Sequence, residues 1–185
     1  MAINEGMGGG DVASRPHAPL LYLDQNYLSG IAKRKPGFLE LEPVLREALA
    51  TGVVAVPESA AHRLESAPRP DLGLLELLRE LSGGLQLAER GDPHERECER
   101  RLTRRLGRDF PERRRRQSDA VDVRALASAL PRCRLVTCDA FMADVIRRTG
   151  LDVQFRCELF TGRRADVRRL GAALEARIDR AAVAA

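Results

Sequence analysis

The sequence predicts an α/β fold: three layers, α/β/α, with a central parallel sheet of four or five strands and a helical insertion. Three observations predict it. Short, largely apolar runs recur at residues 20–23, 53–57, 134–139 and 152–156. Runs of that length without strict alternation suit strands buried on both faces. Helical patterns separate them, and strand–helix alternation calls for crossovers that cover a parallel sheet on both sides. Two of the runs, LLYLD and RLVTCD, end in an acid, Asp24 and Asp139. Both acids fall at the carboxyl edge of the expected sheet, where ligands sit in open α/β folds.

The 185 residues suffice for one well-cored domain, expected over 20–185. Residues 1–19, small and glycine-rich without periodicity, are expected to be a flexible tail. At 44% hydrophobic and 31% charged residues, the composition is that of a globular protein, which excludes intrinsic disorder as the main state. No apolar run is long enough to span a bilayer, so no membrane partner is expected. A basic region followed by an apolar stretch is lacking at the start, so a cytoplasmic protein with reduced thiols is expected. The four cysteines (Cys98, Cys133, Cys138, Cys157) lack paired zinc-type spacing. Net charge is +4, and all basic residues except Lys33 and Lys35 are arginine, the side chain suited to bidentate phosphate contacts.

In chain order, the strand at 20–23 is followed by a helix from 27 to 32, limited by Pro36. Residues 37–51 repeat apolar positions at helical spacing, with Gly52 as the stop. VVAVP, 53–57, is the second strand. Ser59 then N-caps a helix on which Ser59, His62 and Glu65 recur every three residues and share one broad face. The stretch 67–117 is expected to be an arginine-rich helical insertion. Its first part is an amphipathic helix ending near Gly83-Gly84. Its second, 91–116, carries ten arginines against six acids and reads as a solvated helix ending in a basic loop. SDAVDVRALASAL, 118–130, is a helix with acids in its first turn, favoured by the helix dipole. The third strand, the helix 140–150 closed by Gly150, a fourth strand at 152–156 and a terminal helix at 165–182 complete the chain.

Asp24, Glu65, Asp122 and Asp139 thus come from strand ends or helix starts facing one edge, with Asp119 one turn before Asp122. Carboxylates that converge without a lysine or arginine repel one another, and their burial is unfavourable. A hard divalent cation resolves this, and all-oxygen donors select Mg²⁺ or Mn²⁺ over Zn²⁺. Such a site activates water and stabilises charge on a phosphoryl group, so a phosphodiester substrate is expected. Arginines of the insertion, Arg104, Arg105 and Arg113, Arg114, Arg115 and Arg116, would neutralise its backbone. Each residue also has an ordinary reading. Asp24 alone would be a helix cap. Glu58 competes with Glu65 for one role, and Glu65 is preferred. Asp119 is a ligand or a first-turn helix stabiliser. His62 is more often a hydrogen-bonded helix residue than a catalyst. The arginine run is a solvated loop or a nucleic-acid contact.

YLDQN, SAAHRLE, SDAVD and LVTCD, in that order, together resemble the PIN domain family. The resemblance covers 20–66 and 118–156 and leaves out the insertion and the C-terminal helix. It implies a metal-dependent endoribonuclease that binds Mg²⁺ or Mn²⁺ through Asp24, Glu65, Asp122 and Asp139, with Asp119 as an alternative or additional third acid. Asn26 and Thr137 then orient carboxylates, joined by Ser59 and His62. Many bacterial members, those of the VapC group, are toxins of toxin–antitoxin pairs, so RNA and an antitoxin protein are the implied partners. A non-catalytic PIN-like module that binds RNA or protein is the alternative. A haloacid-dehalogenase-like phosphatase is disfavoured, because its second aspartate would stand where Asn26 does. Apolar faces at 74–81 and on the terminal helix are suited to a homodimer.

Overall fold

In a computed structural model, residues 18–66, 70–87, 93–112 and 117–184 of the chain are described. Strand β1 (Leu20–Tyr22) leads through Asp24 into α1 (Gln25–Ala32), followed by α2 (Phe38–Ala50) and α3 (Ala60–Ser66). A 3-10 turn (Pro70–Leu72), α4 (Leu74–Ser82) and α5 (Pro93–Asp109) fill the middle. The chain continues with α6 (Gln117–Ala129), β2 (Cys133–Thr137), α7 (Ala140–Thr149), α8 (Leu151–Phe155), β3 (Glu158–Phe160) and α9 (Arg164–Ala184). Most of the expected tail and Arg113–Arg116 lie outside the described residues.

The expected sheet of four or five strands is corrected. Of the described residues, 68% are helical and only 9% extended, and the sheet has three parallel strands in the order β1-β2-β3. The run 53–57 makes one isolated bridge, with Ala55 bonded to Leu21 and Pro19 on the outer side of β1. It cannot lengthen into a ladder because Pro57 has no N–H to donate. The next residue, Glu58, pairs instead with the segment around Gln86. The run 152–156 is not a strand. It starts α8 directly after Gly150, whose left-handed φ of 67° ends α7. The third strand is Glu158–Phe160. Leu159 and Phe160 are buried there, whereas Val153 in the expected strand is 76% exposed and has nothing to pack against. A parallel strand covered on both faces needs the more apolar segment.

Helices cover both faces of this small sheet, and the pleat sorts the side chains between them. Leu21, Leu135 and Phe160 join a cluster built with α1, α2, α4 and α9. Tyr22, Val136 and Leu159 join the opposite cluster, built with α3, α5, α6, α7 and α8. The middle segment is therefore not a solvated appendage. Leu74, Leu78 and Leu81 of α4 are buried in the first cluster, and Cys98 and Leu102 of α5 in the second. The two apolar faces suited to a homodimer are buried within the chain itself: Leu74, Leu78 and Leu81 of α4 and Val167, Leu170 and Leu174 of α9 all join the first cluster. Among the described residues, no helix is long and apolar enough to cross a membrane.

The first cluster is tight where α1 meets α2. A Cβ placed on Gly30 would stand 2.7 Å from ring carbons of Phe38, itself held edge-on against Tyr27. The ring is buried and would have to shift against its neighbours. Gly30→Ala is therefore expected to cost about 1–3 kcal/mol through overpacking. Urea titration of the two proteins checks it, since a helical Gly→Ala exchange without a clash would be stabilising.

Candidate metal and phosphodiester site

Two aspartates anchor the site because two neighbouring parallel strands each run into a helix. Asp24 follows β1 and N-caps α1, its Oδ1 accepting from the Tyr27 N–H at 3.1 Å. Asp139 follows β2 and N-caps α7, accepting from the Met142 N–H at 2.6 Å. Parallel pairing of Tyr22 with Val136 puts both caps at the same edge of the sheet. The capping role weighed for Asp24 is thus real, and it fixes the carboxylate while leaving the other oxygen facing Asn26. The Asn26 amide donates to that Oδ2 at 3.1 Å. Thr137 ties the two strands together. Its hydroxyl accepts from the Asp24 N–H at 2.6 Å and donates to Asp24 Oδ1 at 3.0 Å.

Glu65 and Asp122 arrive from α3 and α6. With Asp24, Asn26, Thr137 and Asp139 they line a cavity of about 160 Å³ whose walls, among the described residues, include no lysine or arginine. Gln25 and Tyr22 also line it, and sequence reasoning missed both. The Gln25 amide donates to the Glu65 carbonyl at 2.7 Å, clamping the end of α3 to the start of α1. A contact across forty residues leaves no local pattern to read. Glu58 settles differently from Glu65: it pairs with Arg63 at 2.7 Å and accepts from Gln86, away from the cavity. Asp119, one turn before Asp122 on α6, is buried and lines a neighbouring cavity instead, although its charge is felt at Asp122.

His62 does not enter the cavity wall. Its Nδ1 accepts from the Ser59 N–H at 3.0 Å and its Nε2 lies 2.6 Å from the Leu23 carbonyl, which assigns the proton to Nε2. The ring stacks on Tyr22 with centroids 5.0 Å apart. His62 and Ser59 therefore pin α3 to the end of β1 and so set where Glu65 stands. His62→Ala leaves a buried carbonyl and a buried N–H unpaired, and is expected to cost about 2–4 kcal/mol. Equilibrium denaturation checks the value.

Of the arginines expected to meet nucleic acid, Arg104 lies in a shallow groove on the outer face of α5 with Arg96 and Arg100. Arg105 is engaged internally, donating to Asp109 at 3.2 Å and to the Arg148 carbonyl at 2.6 Å.

The electrostatics reflect crowding. Burial, then the charges of Asp122 and Asp24, push the Glu65 carboxyl up to about 8. Burial and Asp139 push Asp122 up to about 6, while a hydrogen bond from Glu65 pulls it down. The two acids thus share a proton. Burial also raises Asp24, against hydrogen bonds from Tyr27, Thr137 and Asn26. Among the described residues, no three His, Cys, Asp or Glu side chains are close enough to enclose an ion by themselves. The donor set still fits Mg²⁺ or Mn²⁺. It is all oxygen and net negative, and Mg²⁺ is held by one or two carboxylates while keeping several waters. Comparison with family models, with curated proteins and with solved structures returned no match to this chain.

Proposed function

We propose that this chain is a divalent-metal-dependent endoribonuclease of the PIN type, hydrolysing phosphodiester bonds of RNA. The observation that carries the reading is the convergence of Asp24, Glu65, Asp122 and Asp139, from four different elements, on one cavity with no lining lysine or arginine among the described residues. Unpaired carboxylates raise one another's pKa and destabilise the fold, so their retention in one place calls for a positively charged occupant. When bound, Mg²⁺ or Mn²⁺ supplies polarisation of the phosphoryl group and activation of water at neutral pH.

The chain's own residues do the rest. Asp24 and Asp139 are held by their caps, so they meet the occupant without reorganising. Thr137 and Asn26 keep the Asp24 carboxylate turned into the cavity. The proton between Glu65 and Asp122 has to leave before both can act as ligands. Arg100 and Arg104 on the outer face of α5 position the RNA backbone. The cytoplasm suits this work, and all four cysteines are buried and form no disulfide among the described residues. The toxin role in a toxin–antitoxin pair belongs to the same proposal: induced expression arrests growth, and Asp24→Asn relieves the arrest.

Calorimetric titration with Mn²⁺ tests the reading against a non-catalytic binding module. Binding heat that vanishes in Asp24→Ala supports the enzyme, and absence of heat in the wild type supports the module. A pH dependence follows from the shared proton. Ligand protons must be released for binding, so Mn²⁺ affinity is expected to rise between about pH 6 and pH 8, the range bounded by Asp122 and Glu65. Titrations at pH 6, 7 and 8 check it, and a flat profile contradicts it.

A further inference from the structure

A second cavity, of about 350 Å³, lies between α5 and α6 on the other side of the α6 wall. Leu106, Phe110 and Val123 make its apolar lining, and Thr103, Glu99 and Arg124 bring polar groups to it. Its size falls in the range of small-molecule sites, and its mixture of apolar wall and few polar groups is what such sites share. The aromatic ring is held in place: Phe110 packs edge-on against Phe141 at 4.9 Å, and the Arg148 guanidinium lies 5.6 Å from its centroid. Glu99 and Arg124 face each other across the two helices at 3.7 Å, a loose pair with side chains 45% and 76% exposed. Such an exposed pair contributes little and opens readily.

Position says what the cavity serves. Asp119 belongs to its wall and Asp122, three residues on, to the acidic cavity, a step of about 4.5 Å along α6. On the other side, Glu99 and Thr103 also line the shallow groove that holds Arg96, Arg100 and Arg104. An arginine groove, a part-apolar cavity and a carboxylate cavity therefore adjoin in sequence. That order matches a single-stranded polynucleotide: backbone phosphates along the arginines, one base inserted, and the next phosphate at the acids. Single-stranded RNA is recognised in this way, by unstacked bases that lie against aromatic or guanidinium planes and are read at their edges.

We propose that the α5–α6 cavity is a base pocket that receives a guanine adjoining the scissile phosphate of single-stranded RNA. This rests on the nuclease reading of the acidic cavity. Guanine is favoured by the polar groups. Its N1–H and N2–H₂ donors lie side by side and match the two oxygens of the Glu99 carboxylate. Its O6 and N7 acceptors suit the Arg124 guanidinium, the pairing that arginine makes with guanine elsewhere. Adenine, cytosine and uracil each lack this pair of adjacent donors.

The test uses the full ¹⁵N-labelled chain with EDTA present, so that neither metal nor cleavage enters. It is titrated with 5′-GMP, 5′-AMP, 5′-CMP and 5′-UMP. The expected result is saturable shifts at the Thr103, Phe110 and Arg124 amides, with GMP binding at least tenfold tighter than CMP or UMP. Glu99→Gln lowers GMP affinity at least fivefold. Thr103→Trp fills the cavity from an exposed position without removing core packing, and abolishes the shifts. Equal affinities for the four nucleotides, or GMP binding by a folded Thr103→Trp protein at the wild-type level, overturn the proposal. So does a pocket that ignores all four and shifts only with an aromatic peptide, which would make it a protein-docking site. The nuclease reading fails separately. GMP selectivity without any RNA cleavage leaves the pocket and removes the nuclease. Cleavage without nucleotide binding does the reverse.

Discussion

Under the proposed nuclease reading, Asp24→Asn and Asp139→Asn are each expected to lower metal-stimulated RNA cleavage by more than the roughly 10–100-fold that loss of a supporting partner costs, while leaving the fold intact. The two halves of this expectation come from two oxygens of one side chain. In Asp24, Oδ1 caps α1 and accepts from Thr137, and Oδ2 accepts from Asn26 beside the cavity. Asparagine is as good an N-cap as aspartate, so the helix start survives the exchange. The negative charge does not survive, and with it goes an anionic donor for a hard cation. Thr137→Val is the graded control. It removes the hydroxyl that orients Asp24 but leaves every carboxylate, so its loss is expected within that 10–100-fold range. Initial rates on a labelled single-stranded RNA with Mn²⁺, set beside thermal melts of the same proteins, check both halves. Either aspartate variant cutting at the wild-type rate removes the nuclease reading. A melt that collapses in Asp24→Asn, whose cap is preserved, would show that the carboxylate holds the fold together and would detach the rate loss from metal binding.

Without added cation, the protein is expected to be more stable at pH 5 than at pH 8, and saturating Mn²⁺ is expected to cancel most of that difference. The sign follows from linkage. Glu65 has an ordinary carboxylate value near 4.5 and is held up to about 8 in the folded protein. Between those two values the folded state binds more protons than the unfolded one, so stability falls as pH rises through the window. Asp122, raised to about 6, adds to the lower part of it. The full gap at Glu65 would correspond to about 5 kcal/mol at 1.36 kcal/mol per pH unit. The two acids share one proton and are partly open to solvent, so a loss on the order of 2–3 kcal/mol is expected. For a chain of this size that shifts the melting temperature by several degrees. A cation that replaces the proton removes the repulsion and stabilises by mass action. Glu65→Gln carries no charge to repel and should flatten the profile even without metal. Melting temperatures from pH 5 to pH 8, with EDTA and with Mn²⁺, decide it. A profile that rises with pH in EDTA would mean that the carboxyls are not crowded.

Much of the candidate site is legible in the sequence. Asp24 and Asp139 are read from a local event, an apolar run that stops at an acid which then caps a helix. Both residues keep that local geometry in the folded chain. Glu65 is legible through the helical spacing of Ser59, His62 and Glu65; Asp122 is expected in the first turn of its helix, but α6 starts at Gln117 and has Asp119 there, so Asp122 stands beyond the first turn. The strands were less legible. VVAVP and DVQFR have the residue types of strands, but one is stopped by Pro57 and the other is drawn into a helical turn after Gly150. The short β3 gave almost no signal, since three residues carry no periodicity. The middle segment misled because its polarity suggested solvation, while Cys98 and Leu102 seat α5 against the core.

From residues alone came the kinds of chemistry available: carboxylates at strand ends, arginines with only two lysines, and the order in which they arrive. Capping and strand termination are set by neighbours a few positions away, and these the chain spells out directly. Which acids actually meet was left to packing. Asp119 and Asp122 stand one turn apart on α6, yet they face different cavities. Arg104 looks outward while Arg105 is drawn inward to Asp109 and the Arg148 carbonyl. Those choices depend on how α6 and α5 are rotated against the sheet and against each other. That rotation is fixed by burial of residues such as Leu102, Val123 and Leu126, whose partners lie far away along the chain.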